Sequence, residues 1–137
     1  MSQFTITLEN QGQSRIRHDL AGTEILTDRP PEYGGQGRSF SATDLVCAAL
    51  GTCILTTMEQ ILAREGHDPQ KLVMSVQKTL SDHPKMIRAI HLDITYPDPL
   101  DDLLKKKLTR AMAACPVKRS LSSQVDINTR FADGSSA

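Results

Sequence analysis

The 137-residue chain has no tryptophan and only two tyrosines and three phenylalanines, so its core must come from Leu, Ile, Val, Met and Ala. With so few rings, a stacking platform for bases or a sandwich around a planar cofactor has little to be made from. Net charge is missing as well. Sixteen Lys and Arg balance sixteen Asp and Glu, so no global field draws the chain towards nucleic acid or anionic lipid. The N-terminal MSQFTITLEN has neither the basic segment nor the apolar stretch of a secretory signal, which leads us to expect a cytoplasmic protein with reduced thiols. The longest nearly uncharged run, Leu45 to Met58, falls short of the ~20 residues that span a bilayer and reads as a buried core helix. Three widely spaced cysteines (Cys47, Cys53, Cys115) fit neither a disulfide framework nor a paired CxxC zinc site. His18, His67, His83 and His91 are scattered without metal-ligand spacing, so no metal is expected.

What is present is ordinary for a globular protein, with 39% hydrophobic and 23% charged residues. No repeat, low-complexity block or interdomain linker interrupts the chain, and we expect one domain over residues 1–137. Phe4 to Leu8 alternates apolar and polar side chains, the period of a half-buried strand. Ser14 to His18 and Thr23 to Thr27 follow as short strands around turn signals, giving an antiparallel meander. Residues 28–38, with two prolines and three glycines, form a loop. Ser41-Ala42-Thr43-Asp44 then caps a helix of about 24 residues that runs to Ala63 and stops at Gly66. Its middle is apolar around most of its circumference, so protein must cover more than one face, and a homodimer is the expected solution.

Leu72 to Leu80 and Ile87 to Tyr96 alternate again and read as a strand pair joined by a wide hairpin over Ser81–Lys85. Asp98-Pro99 opens a second helix with an apolar stripe of Leu100, Leu103, Leu104, Leu108 and Met112, opposite a solvated Lys105-Lys106-Lys107 face. A short helix after Cys115-Pro116 runs to about Ser122, and Gln124 to Phe131 closes as a strand. The order βββ-α-ββ-α-α-β points to an α+β fold.

The cysteines are the candidate reactive groups. Cys53, mid-helix in Leu50-Gly51-Thr52-Cys53-Ile54-Leu55, reads either as a small hydrophobe or as a functional thiol. Pro116 can take the first position of a new helix and leave Cys115 at its N-cap, where free N–H groups favour a thiolate. Cys47 lies six positions before Cys53, about 240° round the same helix, and is read as packing. Cys53 and Cys115 would make sense as an attacking and a resolving thiol. Gly34-Gly35-x-Gly37 lacks the Gly-Lys-Ser/Thr of a phosphate cradle and is read as loop. Ser39 and Ser41 are read as caps, since no Gly-x-Ser-x-Gly elbow surrounds them.

The run Gly34-Gly35-x-Gly37-x-x-Phe40-Ser41-Ala42-Thr43-Asp44-Leu45-Val46-x-Ala48-Ala49-Leu50-Gly51-Thr52-Cys53, with Cys115-Pro116-Val117 some sixty residues later, resembles the OsmC/Ohr family of small thiol-dependent peroxidases. The resemblance covers nearly the whole chain. It implies an OsmC-like α+β fold of antiparallel sheets around a long central helix, and an intertwined homodimer with active sites at the subunit interface. It also implies reduction of organic hydroperoxides, with an external thiol or dithiol as reductant and no bound cofactor. Cys53 matches the peroxidatic position and Cys115 the resolving one.

The chain departs from that pattern in two places. Ala42-Thr43 stand where peroxidatic members commonly carry a Pro-Glu pair, with Asp44 the nearest acid. The arginine expected near the first turn has only Arg15 to match it, with Arg29 and Arg38 in the later loop as other cations. Without a cation near Cys53, desolvation should raise its pKa and slow the chemistry. Leu50, Ile54 and Met58 could line a pocket for fatty hydroperoxides. The alternative is a binding protein of the same fold that holds a lipid-like ligand, with the cysteines as relics.

Overall fold

The computed structural model describes residues 3–136, which divide into two compact units, 1–46 and 47–137.

In the first unit, β1 (Phe4–Leu8), β2 (Ser14–His18) and β3 (Glu24–Leu26) form an antiparallel sheet in the order β1-β2-β3. The alternation in β1 puts Phe4, Ile6 and Leu8 on one face, and Ile16 and Ile25 lie in register with Ile6 across the sheet. Most of that face is exposed among the described residues: Phe4, Ile6, Leu8 and Ile25 all meet solvent, Leu8 at 89%. On β2, Arg15 spans two acids, donating to Glu9 at 2.7 Å and to Glu24 at 2.5 Å.

The loop after β3 is organised by backbone contacts. Gly35 N–H donates to the Pro30 carbonyl at 3.2 Å and Gly37 N–H to the Arg29 carbonyl at 3.0 Å. Gly35 passes so near Arg29 that an added Cβ would lie 1.9 Å from the Arg29 carbonyl oxygen. No backbone atom tolerates that approach, so Gly35→Ala must open the loop. We expect the substitution to lower the melting temperature by about 5–15 °C, the effect of 1–3 kcal/mol of overpacking in a domain of this size. A circular-dichroism melt superimposing on wild type would show that the loop moves at no cost. At the loop's base, Asp28 is 1% exposed and accepts from Arg38 twice, from the backbone N–H at 3.0 Å and from Nε at 2.7 Å. The Arg38 guanidinium, with its backbone N–H, lowers the Asp28 carboxyl to about 2 despite its burial.

Helix α1 (Ala42–Arg64) opens with a reciprocal cap: Ser41 N–H donates to Asp44 Oδ2 at 3.0 Å, and Asp44 N–H donates to Ser41 Oγ at 3.1 Å. Of the two serines expected to cap, it is Ser41 that does.

The second unit carries the remainder of α1, then β4 (Val73–Asp82), β5 (Lys85–Thr95), α2 (Asp102–Ala113), α3 (Pro116–Ser120) and β6 (Asp126–Ala132). Its core gathers Cys47, Leu50, Ile54, Met58 and Leu62 from α1, Ile90, Leu92 and Ile94 from β5, and Leu104, Leu108 and Met112 from α2. By length and mean hydropathy α1 would pass for a membrane span, contrary to the expectation from its uncharged run. Its buried stripe recurs at the 3–4 residue spacing of a core helix. Gly51 brings this stripe close to β4: a Cβ there would lie 2.8 Å from Met74 Sδ.

Several sequence expectations shift here. The sheet is not antiparallel throughout: β4 and β5 pair antiparallel, but β6 lies parallel to β5, with Ile90 beside Ile127 and Ile94 beside Phe131. Period-2 alternation carries no strand direction, whereas the chain from Tyr96 to Val125, with its two helices, is the long crossover that a parallel pair needs. The wide hairpin is tight instead, since pairing continues to Asp82 and Lys85 and leaves only His83-Pro84 in the turn, joined by a cis bond. Helix α2 starts at Asp102, capped by Asp101 Oδ1 accepting from Leu104 N–H at 2.8 Å, because the Pro99 segment is occupied elsewhere: Leu100 N–H donates to Asp133 Oδ2 at 2.7 Å. Leu103, expected on the apolar stripe, is 65% exposed, as its place next to Leu104 on a 3.6-residue period requires. Leu50, Ile54 and Met58 are fully buried in the core and offer no surface to a ligand, correcting the expectation that they line a substrate pocket.

Candidate active site

Cys53 sits near the middle of α1, on a turn whose neighbours Cys47, Leu50 and Ile54 are buried, while Cys53 itself is half-buried. Cys115 lies between α2 and α3. Helix α2 ends with Ala114 N–H on the carbonyls of Arg110 and Ala111, and Pro116 starts α3, leaving Cys115 at the N-cap as the Cys-Pro pair suggested. Proline has no N–H, so the next two donors, on Val117 and Lys118, are free to meet the sulfurs.

The fold brings the two thiols together. Cys115 is hydrogen-bonded to Cys53, and Val117 N–H also donates to the Cys53 sulfur. The bond from Cys115, helped by Val117, pushes the Cys53 thiol below its ordinary range, against the opposing effect of burial. Cys115 moves the other way. It is 1% exposed, and burial first, then its bond to Cys53, pushes its thiol up, outweighing the N–H groups of Lys118 and Val117. The N-cap geometry expected for Cys115 is therefore present, but the thiolate expected there is not, because desolvation exceeds the help of one short helix turn. Of the two, Cys53 is the more readily ionised thiol and Cys115 the less.

The condition set on Cys53 also changes. We expected its pKa to fall only if a cation approached; here hydrogen bonds lower it. The three candidate cations all lie in the first unit with partners of their own. Arg15 bridges Glu9 and Glu24, Arg38 holds Asp28, and Arg29 Nη1 donates to the Tyr33 carbonyl at 3.3 Å. Asp44, the nearest acid to the missing Pro-Glu position, caps α1. Cys47 is a core residue at 3% exposure. Among the described residues, no group of three or more His, Cys, Asp or Glu is placed to hold a metal ion.

Chemically, a lowered, half-exposed thiol beside a buried protonated one can attack an electrophile and then be captured as a disulfide. Sequence reasoning singled out both sulfurs and the free N–H groups after Pro116, but assigned those groups to Cys115 alone and not to Cys53. The signal was in Cys-Pro-Val, since a proline at the first helical position leaves the following amides unpaired.

A family model described as OsmC-like protein matches residues 35–130. The chain belongs to the OsmC-like family. No curated protein matches it in sequence. Among solved structures, one from Psychrobacter arcticus 273-4, provisionally described as an osmotic stress induced and detoxification response protein, is 26% identical. It superimposes with a TM-score of 0.91, and 96% of each chain is covered. An OsmC like protein from Mycoplasma pneumoniae is 21% identical with a TM-score of 0.76, covering 97% of this chain and 96% of that one. An organic hydroperoxide resistance protein OsmC from Legionella pneumophila is 13% identical with a TM-score of 0.73, covering 96% of this chain and 98% of that one. The α+β arrangement of two three-stranded sheets and a long helix is thus the OsmC-like fold.

Proposed function

We propose that this protein is a cytoplasmic, thiol-dependent peroxidase for organic hydroperoxides, with Cys53 as the attacking and Cys115 as the resolving cysteine. The observation that carries the reading is the hydrogen bond between a lowered Cys53 thiol and a raised Cys115 thiol. The OsmC-like match and the hydroperoxide-resistance name of the Legionella structure support the substrate class. The Cys53 thiolate attacks the peroxide O–O bond, the alcohol leaves after protonation, and Cys53 becomes a sulfenic acid. Cys115 then attacks the Cys53 sulfur, water leaves, and the disulfide closes. An external thiol or dithiol returns both cysteines to the reduced state, so no bound cofactor is required.

The working unit in this proposal is a homodimer of one-domain chains. The family match at 35–130 runs through both compact units, which favours a single OsmC-like domain. Two exposed surfaces favour a second copy. One is the apolar face of the β1-β2-β3 sheet, which in isolation leaves Phe4, Ile6 and Leu8 in water. The other is the stripe of α1 formed by Ala49, Thr52 and Thr56, small residues that allow helices to approach closely. Thr56 Oγ1 donates to the Thr52 carbonyl at 2.9 Å, so its hydroxyl is already satisfied for burial.

Native mass spectrometry tests both parts in one sample. The expected species has twice the 15.1 kDa chain mass, and one equivalent of cumene hydroperoxide per chain removes two hydrogens from each. A species of one chain would end the dimer reading. A dimer that loses no hydrogens, whether it gains oxygen or stays unchanged, would end the two-cysteine mechanism.

A further inference from the structure

Once Cys53 and Cys115 are joined, a reductant meets two sulfurs, and their surroundings are unequal. Cys115 is 1% exposed, as a member of the core cluster that includes Leu104, Leu108 and Met112. Cys53 is half-buried at the edge of the same cluster. An incoming thiolate must approach in line with the S–S bond it breaks, from the side away from the leaving sulfur. For Cys115 that path lies through packed side chains.

Leaving-group chemistry argues the opposite way. The sulfur that leaves faster is the one with the lower pKa, which is Cys53, so with equal access a reductant would attack Cys115. The outcome therefore depends on whether access or leaving ability dominates. Leaving ability scales the rate only of an approach that can occur. Enclosure in a close-packed core stops the approach altogether.

We infer that the reductant attacks Cys53, forming its mixed disulfide there and expelling Cys115 as a thiolate received by the N–H groups of Val117 and Lys118. In this step one S–S bond breaks and one forms. A second reductant thiolate then attacks the reductant's own sulfur in the mixed disulfide, and Cys53 leaves as a thiolate. Over the two steps the cysteine pair gains two electrons, two reductant thiols become one disulfide, and Cys115 takes up one of the protons they release. The inference rests on the proposed peroxidase reading for the origin of the disulfide, but the exchange itself can be tested without peroxide.

The wild-type protein is oxidised with diamide, mixed with glutathione, quenched in acid within seconds, and mapped by peptic digestion and mass spectrometry. The expected adduct lies on Cys53, exceeding that on Cys115 by at least about tenfold. Equal adducts, or more on Cys115, would overturn the attack point. Because neighbouring Cys115 shortens the life of a Cys53 adduct, the reverse reaction is measured too, with oxidised glutathione on Cys115→Ser and Cys53→Ser. Modification of Cys53 should again be faster by at least about tenfold, and comparable rates would refute the inference. A disulfide that forms with diamide but not with cumene hydroperoxide would remove the peroxidase reading while the adduct map still decides the attack point. No disulfide even with diamide would overturn both.

Discussion

Replacing Cys53 with serine is expected to lower turnover of cumene hydroperoxide with dithiothreitol by at least ~10³-fold, to the level of the uncatalysed reaction. A serine hydroxyl at the same place is not ionised at neutral pH and cannot accept the oxygen as a sulfenic acid. The fold should be unaffected. Cys53 is half-buried, and its side chain is only partly packed against the core, so the loss of sulfur contacts is small beside that of a fully buried leucine. An unchanged melting temperature together with lost turnover separates chemistry from packing. Turnover within a few-fold of wild type would eliminate Cys53 as the attacking group, and with it the proposed mechanism.

The two replacements of Cys115 should differ from one another. Cys115→Ser keeps a donor beside Cys53 and removes the resolving sulfur. The first peroxide is then reduced at a near wild-type rate, no intramolecular disulfide appears, and a sulfenic acid accumulates that dimedone can trap. Steady-state turnover should drop by about 10–100-fold, limited by direct attack of the external thiol on the sulfenic acid. Cys115→Ala removes the donor as well. The first cause of the lowered Cys53 pKa is the bond from Cys115, so without it the pH dependence of sulfenic acid formation moves to higher pH. The sign follows from the reactive form. The thiolate is the nucleophile, and its fraction falls as pH drops through the Cys53 pKa, so raising that pKa lowers the rate at neutral pH and spares it in alkali. Stopped-flow profiles of the three proteins decide the matter. Superimposable wild-type and Cys115→Ala profiles would mean that the thiol–thiol bond does not activate Cys53.

The α+β order was legible because each element carries a local pattern. The alternation of Phe4 to Leu8 and of Ile87 to Tyr96 specifies strands whichever sheet they join, and the uncharged centre of α1 specifies a helix with apolar demands on more than one side. Elements whose ends depend on distant partners were misjudged. The start of α2 is displaced because Asp133, far along the chain, takes the Leu100 N–H. The parallel placement of β6 depends on the path of the crossover, which leaves no periodic trace.

The same division holds for the site. Local sequence marked Cys115 by the proline after it, whereas the mid-helix position of Cys53 left it open between a small hydrophobe and a functional thiol until the family resemblance singled it out. Which cysteine ionises is decided by tertiary structure, and there the local argument for Cys115 points the wrong way. An N-cap favours a thiolate through nearby amides, but the core closing over Cys115 opposes the charge more strongly, and its bond to Cys53 adds to that effect. Burial and the direction of a hydrogen bond between residues sixty positions apart are properties of packing, because they depend on which side chains surround a sulfur and not on which residues flank it.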